Sequence, residues 1–189
     1  MRDAVTGGTG RPFVVSGAGW LPGFPDGKSP CLVAADTAVI AAPFGCLILS
    51  ASGGTLGVID ISPDAIPARL PAHPLLELAA RQFERYFDDP AFPFSLPLRP
   101  AGSNYSRRVW NALAAIPPGQ AETYGSLARQ LGSGSRAVAG ACRANPFPII
   151  VPCHRVVSAH GLGGYSGKLS GPWLDIKRWL LRHEGCALA

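Results

Sequence analysis

The 189-residue sequence has no apolar run long enough to span a bilayer, and its first residues lack the basic-then-apolar pattern of a secretory signal. Its five cysteines form an odd and scattered set, which does not fit a disulfide framework. We therefore expect a protein with no membrane partner in a reducing cytoplasm, where a free thiolate survives.

Acidic residues are scarce in the second half of the chain. Residues 101–189 carry 10 Lys and Arg against 3 Asp and Glu, a net charge of +7, whereas residues 1–100 carry 7 against 9, a net charge of −2. The second half is therefore suited to a polyanion such as nucleic acid. A basic face is about as often only solvated, so charge alone leaves both interpretations open.

The pattern of turn signals divides the first half into three parts. Residues 1–36 are rich in Gly and Pro and predict an irregular N-terminal extension with one short strand at Phe13–Val15. Residues 37–89 predict a small domain of antiparallel strands and one helix. Residues 90–102 contain repeated prolines and predict a linker. The predicted elements of the small domain are strands at Thr37–Ala42, Cys46–Ser50 and Leu56–Ile61 and a helix from His73-Pro74 to about Asp88.

Residues 103–189 predict a mostly helical C-terminal domain, so the fold class is α+β. Ser103 and Thr123 are placed to cap two helices, the second running from about Tyr124 to Leu131, and Ser135 to cap a third that ends at Arg143. The last two helices, joined by a Gly-containing turn, predict a helix-turn-helix of winged-helix-like type. A helical hairpin that only packs is the alternative. Small residues would let the second helix approach a DNA groove: Ser135, Ala137, Ala139 and Gly140.

The string Pro152-Cys153-His154-Arg155 is the most specific feature of the sequence. Proline fixes its own φ and favours an extended residue before it, which predicts a stiff strand-to-turn junction at Cys153. A thiol is nucleophilic only as the thiolate, which a neighbouring base can generate. The alternative is a buried cysteine that packs as a small hydrophobe.

With Asn145-Pro146 upstream and Val156-Val157 downstream, this segment resembles the acceptor-cysteine signature of the O6-alkylguanine-DNA alkyltransferases, the methylated-DNA–protein-cysteine methyltransferases. The resemblance runs from about residue 73 to residue 185 and is dense from Trp110 onwards. It implies irreversible, single-turnover transfer of an alkyl group from O6-alkylguanine in double-stranded DNA to Cys153. It leaves open whether O4-alkylthymine is also repaired.

The resemblance also assigns roles in the reaction. His154 would be the general base, through one water, and Glu184 would orient it. Tyr124 would give a proton to the leaving guanine, and Asn145 would tie the preceding turn to the nucleophile segment. The carbonyls of Cys153 and Val156 would accept from the exocyclic amine, while Tyr165 and Ser166 would line the O6 side.

The same resemblance implies base flipping, with Arg136 filling the space that the extruded nucleotide leaves. Arg143 and the helix N-termini would contact phosphates without reading sequence. We expect a monomer with no cofactor and no bound metal, associated with the nucleoid in a bacterium or the nucleus in a eukaryote. Cys31, Cys46 and His73 are the candidate ligands of a zinc site, but their spacing fits no compact zinc motif.

Three other functions remain open from the sequence. A lesion-binding relative would flip the base without repairing it, but such relatives lack the acceptor cysteine. A hydrolytic Cys-His enzyme would need an oxyanion hole and turnover, and a transcription regulator gives no reason for the motif. Two departures from the family, Lys168 and the long connection from Leu169 to Trp173, lie beside the expected pocket and bear on alkyl size.

Overall fold

The computed structural model describes residues 36–99 and 101–187, so the predicted N-terminal extension with its short strand, and Cys31, lie outside the described residues. The first part is an antiparallel three-stranded sheet with the order β1-β2-β3, which confirms the predicted meander. One helix, α1, packs against it. The bounds are Asp36–Ala42 for β1, Gly45–Ser52 for β2, Thr55–Ser62 for β3 and Pro74–Asp88 for α1.

Helix α1 begins where the sequence predicts. The His73 side chain accepts a hydrogen bond from the backbone N–H of Leu75, and Pro74 occupies the first turn, where a missing N–H costs nothing. Its buried residues recur at helical spacing on one face of the helix: Leu76, Ala79, Gln82, Phe83 and Tyr86.

The second part is mostly helical. A short parallel pair, β4 with β5, sets Glu122 opposite Val156 and Thr123 opposite Val157. This pair was not predicted from the sequence, and it brings the start of α3 beside the Cys-His segment. The bounds are α2 Asn104–Ala114, β4 Glu122–Thr123, α3 Tyr124–Gln130, α4 Ser135–Arg143, a 3-10 turn Cys153–Arg155, β5 Val156–Val157 and α5 Pro172–His183.

The helix caps follow the predictions at two helices and not at the third. The hydroxyls of Ser103 and Thr123 accept from the backbone N–H groups of Ser106 and Ser126. The prediction that Ser135 caps α4 is wrong, because Gly134 is the N-cap and makes no side-chain bond, and Ser135 is already helical. Gly134 has the extended conformation that an N-cap needs (φ −100°, ψ 147°), so no hydroxyl is required there.

A single apolar core joins the two parts. It contains Leu49 and Phe83 from the first part and Leu113, Val156 and Leu180 from the second. A backbone hydrogen bond of 2.9 Å from Ile59 N–H to Pro146 O also crosses between them. No helix in the described ranges is long and apolar enough to cross a membrane.

Candidate active site around Cys153

Cys153 is the first residue of the 3-10 turn that follows Pro152, where the sequence predicts a strand-to-turn junction. Its backbone N–H donates to Val151 O at 2.8 Å, and its carbonyl accepts from Val156 N–H. Only 8% of the residue is exposed. The segment before it is tightly constrained, since Ile149 adopts a φ of 74°, a region that β-branched residues rarely occupy. The thiol is thus held on a rigid backbone.

Asn145 connects the end of α4 to this segment. Its side-chain amide donates to Val151 O at 2.7 Å, and its Oδ1 accepts from Phe147 N–H at 3.0 Å. The side chain therefore fixes the turn before Pro152 and the peptide just before the nucleophile. A hydrogen bond from the same side chain also lowers the pKa of the Cys153 thiol, against the larger effect of burial.

His154 is fully buried, and its side chain is hydrogen-bonded to Glu184. Its Nε2 lies 2.9 Å from Glu184 Oε1, and both side chains have no exposed surface. An ionised carboxylate can only accept, so Nε2 carries the proton and Nδ1 keeps its lone pair in the neutral ring. Among the described residues, Nδ1 has no hydrogen-bond partner. The ring is therefore arranged to accept a proton at Nδ1.

Glu184 is buried and accepts four hydrogen bonds, three at Oε1 and one at Oε2. Arg155 donates to both of its oxygens, from Nε to Oε2 at 2.7 Å and from Nη2 to Oε1 at 2.8 Å. The Tyr86 hydroxyl, from α1, donates to Oε1 at 2.8 Å. Burial by itself raises the pKa of Glu184, but the hydrogen bonds and charges of Arg155 and His154 together hold it well below its usual value. The carboxylate therefore stays ionised.

The electrostatics favour a neutral thiol and a neutral imidazole at rest. Burial raises the pKa of Cys153, although the Asn145 amide, the Lys177 ammonium and nearby backbone N–H groups oppose it. Burial also lowers the pKa of His154, against the hydrogen bond to Glu184. A thiolate would form when the imidazole takes the thiol proton.

Lys177 is a buried lysine on α5 that the sequence analysis placed in no role. Its Nζ donates to Val156 O at 2.7 Å, Leu162 O at 2.7 Å and Gly164 O at 3.0 Å. Burial lowers the pKa of Lys177 to about 8, although interactions with Cys153 and Cys142 act to raise it. The ammonium fixes the loop after β5 and places positive charge near the thiol. It also uses one lone pair of the Val156 carbonyl that was predicted to bind the base.

Tyr124, at the start of α3, lies against the same loop. Its hydroxyl is 3.4 Å from Gly164 O, and the Lys177 Nζ is 5.8 Å from its ring centroid. Burial, followed by the charges of Cys142 and Cys153, raises its pKa well above the ordinary value, so the phenol keeps its proton.

The loop that follows β5 carries the other two residues predicted to contact the base. Tyr165 is buried, and its hydroxyl has no hydrogen-bond partner among the described residues. Ser166 is exposed and adopts a φ of 48° in a tight turn closed by two 2.9 Å bonds between Tyr165 and Lys168. A Cβ on Gly167 would lie 2.9 Å from Arg143 Nε, so Arg143 lies directly on this turn.

The outer face of α4 is small and exposed. Val138 and Ala141 are its buried residues. A Cβ added at Gly140 would meet no atom within 4 Å. The residues predicted to face DNA are all exposed: Ser135, Arg136, Ala137, Ala139, Gly140 and Arg143.

Three residues of the site were missed by the sequence analysis. Tyr86 and Lys177 had been given no role, and Arg155 had been named only as part of the motif. Lys177 lies three and four residues before Leu180 and Leu181, within the buried stripe of α5, and that position was a signal that it is buried.

The family model described as 6-O-methylguanine DNA methyltransferase, DNA binding domain, matches residues 104–186. A methylated-DNA–protein-cysteine methyltransferase of Methanosarcina acetivorans is 48% identical over 110 residues, 57% of this chain and 67% of that protein. One of Methanosarcina barkeri is 37% identical over 154 residues, 77% of this chain and 94% of that protein.

A solved structure has the same fold. The Mycobacterium tuberculosis protein OGT, crystallised in complex with DNA, superposes with a TM-score of 0.63 at 35% identity, covering 78% of this chain and 91% of that one. Sequence and fold agree over both parts of the described chain. The chain therefore belongs to the methylated-DNA–protein-cysteine methyltransferase family.

Proposed function

We propose that the protein repairs DNA by transferring the alkyl group of O6-alkylguanine irreversibly to Cys153, once per molecule. Family membership supports the reaction class. The observation that carries the proposal is that His154, the residue directly after Cys153, is buried and bonded to Glu184. This bond places the imidazole proton on Nε2 and leaves the lone pair on Nδ1.

The reaction begins with the thiol proton. His154 takes it at Nδ1 through one water, and Glu184 stabilises the resulting imidazolium. The thiolate attacks the alkyl carbon in line, so a C–S bond forms as the C–O6 bond breaks and its electron pair passes to guanine. Tyr124, whose phenol keeps its proton at rest because burial raises its pKa, supplies that proton to ring N3 of the leaving guanine. The tyrosinate left behind regains a proton from the His154 imidazolium through water, which returns both side chains to their neutral forms.

Access to O6 requires that the nucleotide leave the stack, because the alkyl group cannot reach a protein thiol inside a duplex. Arg136, exposed at the start of α4, fills the space left behind. The carbonyls of Cys153 and Val156 accept from the exocyclic amine, and Tyr165 with Ser166 lines the O6 side.

The helices α3 and α4 act as the helix-turn-helix, with the small outer face of α4 against the duplex. Phosphate contacts from Arg143 and from the helix N-termini position the DNA. Residues 103–189 form the DNA-binding and acceptor domain, residues 37–89 the N-terminal domain and residues 90–102 their linker. The net charge of +7 on residues 101–189 supports this assignment.

The product is a thioether, which is a very poor leaving group, so Cys153 is not regenerated. A hydrolytic function would require turnover, and a lesion-binding function would leave the thiol unmodified. These outcomes are separated by one measurement.

The test is the intact mass of the protein after incubation with a duplex that contains one O6-methylguanine. We expect a single added methyl group per molecule, with guanine restored in the DNA. Cys153→Ala should gain no methyl group, whereas Cys142→Ala, the matched control on α4, should gain one. Binding without a mass change, or turnover beyond one equivalent, would contradict the proposal. A duplex with O4-methylthymine in the same assay decides whether that base is a substrate.

A further inference from the structure

The end of α1 is joined to the end of α5 by two hydrogen bonds of one residue, Tyr86. Its hydroxyl donates to Glu184 Oε1 at 2.8 Å, and its backbone carbonyl accepts from His183 Nε2 at 2.8 Å. Helix α1 belongs to the first part of the chain, whereas His183 and Glu184 end the last helix. The carboxylate that orients His154 is therefore held from the opposite part of the molecule.

The Tyr86 hydroxyl and the His154 ring use the same oxygen. Both bind Glu184 Oε1, at 2.8 and 2.9 Å, while Arg155 bridges the two oxygens. A donor that shares an oxygen withdraws part of the negative charge available to the other donor. Tyr86 therefore reduces the charge with which Glu184 stabilises an imidazolium at His154.

The hydroxyl is not needed for packing. The Tyr86 ring contacts Phe87, Phe94 and His183, with centroid separations of 5.8, 5.5 and 5.1 Å, and a phenylalanine would keep all three contacts. What tyrosine adds is one buried hydrogen-bond donor to the Glu184 carboxylate. That carboxylate opposes the dipole of α5 because it lies at the C-terminus of the helix.

We infer that Tyr86 is a positioning residue for the alkyl transfer, because its hydroxyl fixes Glu184 and limits the basicity that Glu184 gives to His154. The inference rests on the proposed function. It gives the N-terminal domain a direct part in the reaction, through one hydrogen bond.

Several other titratable groups face the same cluster and set its background charge. They do not change when only the Tyr86 hydroxyl is removed. His154 and Arg155, from the 3-10 turn, affect the pKa of Glu184. Arg155 and Lys177 affect the pKa of His154. Glu184 in turn affects the pKa of Tyr165 in the loop and of Cys186 after α5.

The test compares Tyr86→Phe with the full-length wild-type chain. Methyl transfer from free O6-methylguanine base is followed over a range of pH, so that DNA binding does not enter the rate. Removing the hydroxyl should stabilise the imidazolium, and the acid limb of the rate profile should move to higher pH by about half a unit. An imidazole ¹⁵N NMR titration of His154 should move in the same direction.

The matched control is Tyr105→Phe, on α2 and outside this cluster. It removes a hydroxyl that is hydrogen-bonded to the Ser133 hydroxyl at 2.7 Å. Its acid limb should stay at the wild-type position. If Tyr86→Phe folds, transfers the methyl group and keeps both the wild-type acid limb and the wild-type His154 titration, the inference is overturned. If the wild-type chain itself transfers nothing, the proposed function fails instead.

Discussion

At the scale of single residues, Glu184 is the acceptor on which the site converges. Tyr86, His154 and Arg155 all donate to it, and its side chain has no exposed surface. A carboxylate at a helix C-terminus opposes the helix dipole and is costly to bury, so these donors must compensate for both. This dependence makes Glu184 a source of pH-dependent stability.

We predict that the free energy of unfolding falls as pH drops below about 4.5, the ordinary value for glutamate. The folded pKa lies below the unfolded one, so the unfolded chain binds more protons in this window, and the stabilisation present at neutral pH is lost on acidification. Urea unfolding at a series of pH values measures it. In Glu184→Gln the loss of unfolding free energy on acidification should disappear. The free energy of unfolding at pH 7 should also fall by about 3 kcal/mol, because Arg155 loses its buried partner. An unchanged pH slope would contradict the assignment.

Lys177 gives a second prediction at this scale. Lys177→Met removes the donor to three carbonyls of the loop after β5, and we expect a loss of about 3 kcal/mol in urea unfolding. The control is the neighbouring Arg178→Met, whose half-exposed ion pair with Asp175 should contribute little. Equal losses in the two variants would show that the buried ammonium is not needed to hold the loop.

The sequence identified some of these residues and not others, for a physical reason. Cys153, His154 and Asn145 belong to one continuous motif, and the family resemblance assigned Glu184. The donors to Glu184 come from separate elements, and hydrogen bonds between residues about a hundred positions apart leave no local pattern. The Tyr86–Glu184 bond, 98 positions apart, is of this kind.

At the scale of elements, α4 is the helix that we propose to face DNA. Its predicted start and end rested on local signals and agree with the structure to within one residue. The error at its cap came from preferring a hydroxyl where the extended backbone of Gly134 is sufficient. The parallel pair β4–β5 was missed because it joins residues 34 positions apart in two-residue strands.

We predict that Gly140→Leu weakens duplex binding at least about tenfold without destabilising the fold, because bulk on α4 would hold the helix away from the groove. An added Cβ meets no protein atom there, and leucine is the better helix former. Fluorescence anisotropy with a labelled duplex measures the affinity. The rate with free O6-methylguanine should not change.

The control for this variant is Ala91→Leu, which places the same side chain on the exposed segment after α1. It should bind the duplex with wild-type affinity. If Gly140→Leu also binds normally, α4 does not face DNA.

At the scale of the whole molecule, the two parts share one core and one polar network. Apolar residues of both parts belong to the same buried cluster, and Tyr86 and His183 join the two helices that end there. The division into residues 37–89 and 103–189 therefore describes the chain order better than it describes independent folding units.

We predict that urea unfolds both parts in one transition. Three of the four tryptophans lie in residues 101–189, so their fluorescence reports mainly on the second part, whereas far-UV circular dichroism reports on both. The two midpoints should coincide. Separate midpoints would mean that the shared core does not couple the parts.

The most direct test of the account is to locate the transferred methyl group. After reaction with an O6-methylguanine duplex, trypsin should cut at Arg143 and Arg155 and so separate Cys142 from Cys153. We expect one methyl group, on the peptide of residues 144–155 that contains Cys153. A methyl group on any other cysteine, or none after DNA binding has been demonstrated, would contradict it.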